Sequence, residues 1–185
     1  HSNNNGLKKR LTKNNPKSTN VKKPYKFILA DSQGRNLASS LTNLTDKFEV
    51  FGHIMPGATL ESIANATTNS IKLKSYTERD WIVLIGGTNN IKVHHTAKDL
   101  NKISETIISA LVNLIEKLKN TNLVIATVPY RYDLHNDQEH HKLIAEINNN
   151  IRALVYNNTN THLLDLHLLE RFCHTRHGYH INKNG

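Results

Sequence analysis

The first 26 residues contain no acid, cysteine occurs once in the whole chain, and no apolar run approaches the roughly 20 residues that a membrane-spanning helix needs. The lone Cys173 forbids an internal disulfide framework and any zinc site built on several thiolates. Without a long apolar segment or a secretory signal, the expectation is an intracellular chain, cytoplasmic or nuclear. An initiator methionine is also missing, because the sequence begins His1-Ser2, and that predicts a segment of a longer protein.

What charge there is sits unevenly. Lys8, Lys9, Arg10, Lys13, Lys17, Lys22, Lys23 and Lys26 give the opening stretch +8, while the remainder sets 16 basic residues against 15 acidic ones. Residues 1–25 therefore read as a polar, Asn-rich, basic arm with too little apolar surface to offset its ordering entropy. Lys8, Lys9, Arg10 and Lys13 are candidates for phosphate contacts on a nucleic acid, and a solvated linker fits the composition as well. A nearly neutral domain over 26–185 follows.

Within that domain short apolar runs alternate with segments of helical period. Strands are expected at 26–30 (KFILA), 48–51, 81–85 (WIVLI), 123–128 and 161–166, with helices over 36–44, from 59 onward, 97–119 and 140–156. In 97–119 the positions Leu100, Ile103, Ile107, Leu111, Leu114, Ile115 and Leu118 make one apolar face. Apolar strands separated by helices predict an α/β sandwich, a parallel sheet of five strands between two helical layers. Ligands of such sheets bind beyond the carboxyl ends of the strands, so the polar residues standing there are the candidates.

After the first strand comes Asp31-Ser32-Gln33-Gly34-Arg35, where Ser32 on a sharp strand-to-helix turn suits a nucleophile and equally suits a helix cap. Gly57 follows the second strand and offers an unshielded N–H, or is simply a turn. Gly86-Gly87-Thr88-Asn89-Asn90 follows the third, and the Asn89 amide is a candidate oxyanion donor. Near the end stands Cys173-His174-Thr175-Arg176-His177-Gly178-Tyr179-His180, whose imidazoles are candidate bases.

The order of these blocks resembles that of the SGNH, or GDSL-type, hydrolases over nearly all of the domain. Asp31-Ser32 looks like their first block, Gly57 their second, Gly87-Thr88-Asn89 their third and His180 their last. The strings ADSQGRNL, TVPYRYDL and HTRHGYHIN are similar to a subgroup of esterase-like domains in insect proteins and mobile elements. The resemblance implies a three-layer, flavodoxin-like α/β/α sandwich and a serine esterase that cleaves small acyl esters. Ser32 would be the nucleophile and His180 its base, with the N–H groups of Ser32 and Gly57 and the Asn89 amide around the oxyanion, and no metal or organic cofactor. The alternative it leaves open is a domain of impaired turnover that binds RNA or a protein.

One position departs from the pattern. The family places an aspartate three residues before its histidine, and this chain has His177 there. A carbonyl bonded to the His180 ring, or a distant acid such as Asp165 or Glu170, would be needed instead, because loss of a triad carboxylate costs on the order of 10⁴ in turnover. Arg35, Arg131 and His177 are candidates for substrate contact, Arg131 first among them. The spacing of His174, His177 and His180, with His94-His95 and His140-His141, fits no defined zinc pattern, so no metal is expected. Tyr76 and Trp81 read as packing residues.

Overall fold

The computed structural model describes residues 22–69, 76–92, 97–134 and 136–185. Lys8, Lys9, Arg10, Lys13, His94, His95 and the Leu100 side chain lie outside the described residues. Five strands form one sheet: β1 (Tyr25–Ala30), β2 (Glu49–Ile54), β3 (Trp81–Ile85), β4 (Asn122–Ala126) and β5 (Thr161–Leu164), in the order β2-β1-β3-β4-β5. Every pairing is parallel. The helices are α1 (Leu37–Leu44), α2 (Leu60–Asn69), α3 (Ala97–Lys117) and α4 (Gln138–Tyr156).

Alternation along the strands sends side chains to two cores. Leu29, Ile82, Leu84, Leu123 and Ile125 pack against Leu60 and Ile63 of α2, Leu111 and Leu114 of α3 and Ile144 and Ile147 of α4. Ile28, Ala30, Ile85 and Ala126 face the other way, toward Leu37, Ala38 and Leu41 of α1. Helices thus cover both faces, as an all-parallel sheet requires, since no stretch of it can leave one side to water. The edges are the exception. β5 carries Leu163 and Leu164 at 39% and 36% exposure, and β2 has only partial cover.

Buried amides tie the strand ends to the helices. Asn148 of α4, fully buried, accepts from the Val128 N–H at 2.7 Å and donates to the Val128 carbonyl at 2.9 Å. Asn90 accepts from Leu60 N–H, at the start of α2, at 2.8 Å. At the opposite end of the sheet Asp80 accepts from the N–H groups of Tyr25 and Thr77, at 2.7 and 2.8 Å, which joins the starts of β1 and β3. Such pairings offset the cost of taking buried polar groups out of water.

After β1 the chain moves to β2 on one side, then returns to β3 on the other, so strand order reverses between β1 and β3. Loops on either side of that reversal diverge and leave a crevice at the carboxyl edge. Ser32 and the Gly86–Asn90 loop emerge there.

Candidate active site

Ser32 opens a single turn of 3-10 helix, Ser32–Gly34, immediately beyond β1. The turn lies so close to its own strand that a Cβ on Gly34 would stand 2.3 Å from the Cβ of Ala30, which leaves glycine as the residue that fits. Asp31 caps the turn by accepting from the Gln33 N–H at 2.8 Å. Its other carboxylate oxygen accepts from the Thr88 hydroxyl at 3.0 Å and the Asn89 amide at 3.2 Å. Burial pushes the Asp31 carboxyl above its ordinary value, against the opposing pull of these donors and of nearby His180.

The Ser32 hydroxyl meets Nε2 of His180 at 3.1 Å, across 148 positions of sequence. Both residues are half-buried. His180 stands in a folded-back loop closed by an antiparallel bridge between His174 and Ile181 and by the Thr175 N–H donating to the His180 carbonyl at 2.7 Å. Among the described residues Nδ1 of His180 has no hydrogen-bond partner. None of the substitutes raised for the missing carboxylate, a carbonyl, Asp165 or Glu170, bonds the His180 ring among the described residues. Asp165 is instead held by Arg152 at 3.0 Å and by Thr127 at 2.8 Å.

Gly57 takes a left-handed φ of +77° with nothing within 4 Å of where a Cβ would stand. Asn89 donates from Nδ2 to the Ala58 carbonyl at 3.0 Å as well as to Asp31, so both of its N–H groups are engaged, and its Oδ1 accepts from the Tyr179 hydroxyl at 2.7 Å. Asn89 therefore joins the segments after β1, β2 and β3 to the His180 loop.

No protein-family model and no curated protein matches the sequence. Solved structures do match in shape. A lipase/acylhydrolase from Enterococcus faecalis shares 14% identity at a TM-score of 0.65, over 87% of this chain and 88% of its own. A lipolytic protein of the G-D-S-L family from Veillonella parvula gives 15% and 0.66, over 86% and 90%. The acetyl xylan esterase AlAXEase gives 19% and 0.61, over 85% and 91%. The fold is that of the SGNH hydrolases.

Upon this SGNH scaffold the candidate substrate residues fall in different places. Arg131, the first candidate for substrate contact, is 3% exposed and has four of its five N–H groups bonded within the protein. It forms a fork with the Asp133 carboxylate at 2.6 and 2.7 Å, donates to the carbonyls of Thr88 and Ile91 at 3.0 and 2.9 Å, and stacks over the Tyr179 ring at 4.3 Å. Five planar donors make arginine suited to this task, and Arg131 serves as a brace for the Thr88–Asn90 turn. Arg35 and His177 are exposed beside the Ser32 turn and in the His180 loop. His174 is buried with its Nδ1 on the Glu170 carbonyl, and no group of three metal-ligating side chains forms among the described residues.

Gln33, Tyr179 and Thr88 carry contacts at this site to which the sequence assigned no role. The hydrogen-bond partners of their side chains lie 55 to 148 positions away, so periodicity and spacing hold no signal for them.

Proposed function

We propose that the protein is a serine ester hydrolase of the SGNH type that removes small acyl groups, such as acetyl, from carbohydrate or lipid. The observation that carries this is the 3.1 Å contact between a serine hydroxyl on a strand-end turn and an imidazole from the opposite end of the chain. A lipase/acylhydrolase and an acetyl xylan esterase share the fold, which supports ester chemistry here.

In the proposed reaction the Ser32 oxygen attacks the ester carbonyl carbon while Nε2 of His180 takes the hydroxyl proton. The carbonyl electron pair moves onto oxygen, and the N–H groups of Ser32 and Gly57 receive it. Asn89 contributes by exchanging its 3.2 Å bond to Asp31 for one to the oxyanion. The tetrahedral adduct then collapses, His180 returns the proton to the leaving alcohol, and water, deprotonated by the same imidazole, releases the acid from Ser32. With no carboxylate on Nδ1, the base is a Ser-His dyad, so turnover below that of a full triad is expected.

Hydrolysis of 4-nitrophenyl acetate tests the assignment. Wild-type turnover should fall by about 10³-fold or more in Ser32→Ala, with an unchanged melting temperature. Turnover that survives the substitution removes Ser32 from the mechanism.

The missing carboxylate, together with the +8 stretch, also supports a second role in which the arm over 1–25, through Lys8, Lys9, Arg10 and Lys13, binds RNA beside the domain over 26–185. The ADSQGRNL, TVPYRYDL and HTRHGYHIN strings favour an origin among the esterase-like domains of insect proteins and mobile elements, where such an arm has a use. RNA affinity measured across a salt series, with and without 1–25, decides this. Binding through the arm predicts a steep salt slope that truncation flattens, and an equal slope in both proteins excludes it.

A further inference from the structure

We propose that Gln33 is the positioning residue that holds His180 against Ser32, doing by backbone clamping what the absent carboxylate would do by bonding the ring; the proposal rests on the ester-hydrolase reading above. A triad acid works by fixing the base in place. Here Nδ1 of His180 has no partner among the described residues, yet Nε2 sits at 3.1 Å from the nucleophile. Something else must restrain the loop.

The amide of Gln33 does so on both sides of the histidine. Its Nε2 donates to the Tyr179 carbonyl at 3.0 Å, and its Oε1 accepts from the Ile181 N–H at 2.9 Å. These two bonds fix the peptide groups that flank residue 180, so its Cα cannot drift along or away from the cleft. The clamp is itself anchored, because the Gln33 N–H donates to Asp31 at 2.8 Å and Nε2 lies 3.4 Å from the Thr88 hydroxyl. Since Gln33 is the neighbour of Ser32 in the chain, one residue sets the separation of nucleophile and base.

The chemistry of the side chain is specific to this task. A carbonyl and an N–H must be met together, which requires an acceptor and a donor on one planar group. Glutamate when ionised accepts only, asparagine is a methylene shorter, and methionine matches the volume with neither bond. Tyr179 adds a second strut, with its hydroxyl on Asn89 at 2.7 Å and its ring over Arg131. The loop is thereby tied to the oxyanion side of the site as well as to the nucleophile side.

The test compares wild type, Gln33→Met, Gln33→Glu and Ser32→Ala by steady-state hydrolysis of 4-nitrophenyl acetate, by hydrogen exchange at the Ile181 amide, and by NMR of the His180 ring. Loss of positioning predicts that Gln33→Met lowers kcat by about 10- to 100-fold with KM within about twofold, since misplacement of a reacting group by an ångström costs about that much. Exchange at Ile181 should accelerate at least about tenfold. The His180 ring signal, which shifts on Ser32→Ala in the wild-type background, should no longer respond to that substitution in Gln33→Met. Gln33→Glu, which keeps the acceptor, should lose less turnover than Gln33→Met. Wild-type kcat and unchanged Ile181 exchange in Gln33→Met overturn the proposal. If the wild type has no Ser32-dependent turnover, the hydrolase reading fails instead, and the clamp is then decided by Ile181 exchange and the His180 ring alone: acceleration upholds it and constancy overturns it.

Discussion

His180 has one ring nitrogen on Ser32 and the other without a hydrogen-bond partner among the described residues, and under the proposed function this asymmetry sets what its chemistry should be. A neutral imidazole can take the serine proton, but the imidazolium it becomes has no carboxylate to which its Nδ1–H can donate. Supplying one should help. His177→Asp, at the exposed position three before His180, is expected to raise kcat on 4-nitrophenyl acetate by at least about tenfold, as restoration of a triad acid would. An unchanged kcat would show that residue 177 does not approach the His180 ring. The site residues divide by how visible they were. Ser32, Gly57 and Asn89 could be singled out because they follow strands at the carboxyl edge, where such a sheet exposes polar groups, and His180 because its block resembles the last one of the SGNH hydrolases. Arg131 also stands at a strand end, but its burial at 3% depends on carbonyls 40 and 43 positions earlier, and nothing local in the sequence records them.

The Ser32–Gly34 turn and the Thr88–Asn90 turn flank the candidate site, the first held by close packing on β1 and the second by hydrogen bonds from Arg131. Gly34→Ala would drive a methyl to 2.3 Å from Ala30, so thermal or denaturant unfolding should show a loss of about 1–3 kcal/mol, the usual cost of overpacking. Arg131→Met removes the guanidinium donor from the Thr88 and Ile91 carbonyls, leaving Thr88 only the Ile91 N–H at 3.3 Å, and leaves Asp133 without its ion-pair partner. A loss of about 3 kcal/mol is expected, at the low end for a broken buried pair because Asp133 keeps 25% exposure, with reduced turnover as Asn89 shifts. Strand and helix positions were legible within a few residues wherever the apolar pattern was strong, as in Trp81–Ile85, which matches residue for residue. Edges were less so. β2 continues to Ile54 through Gly52 and His53 because it pairs with β1 as far as Ala30, whereas its exposed edge relaxes the demand for apolar residues. β5 stops at Leu164 rather than 166 because Asp165 turns away to Arg152 and Thr127.

Over the whole molecule, the reversal of strand order between β1 and β3 brings residues from both ends of the chain to one rim, and it is joined at the opposite rim by Asp80. Burial of Asp80 works to raise its pKa, but donors from Tyr25 and Thr77, with Lys22 nearby, outweigh it and hold the carboxyl below its ordinary 3.8. A depressed folded value means that the carboxylate stabilises the fold at pH above the unfolded value and loses that contribution as pH falls. Melting curves should therefore show Asp80→Asn less stable than wild type at neutral pH, with the gap closing in acid. Asp31 has the opposite sign. Its folded value is raised, so its ionised form is tolerated at a cost that lessens as pH falls through that value. The helix-covered parallel sheet was readable from alternating apolar runs, while its strand order and the pairing of distant polar groups that sets these charges were not. Labelling with a fluorophosphonate, followed by peptide mass spectrometry, tests the Ser32–His180 pair most directly. A single phosphonyl adduct on Ser32, abolished in His180→Ala, is the expected result. Modification elsewhere, or labelling of Ser32 at the same rate without His180, would contradict it.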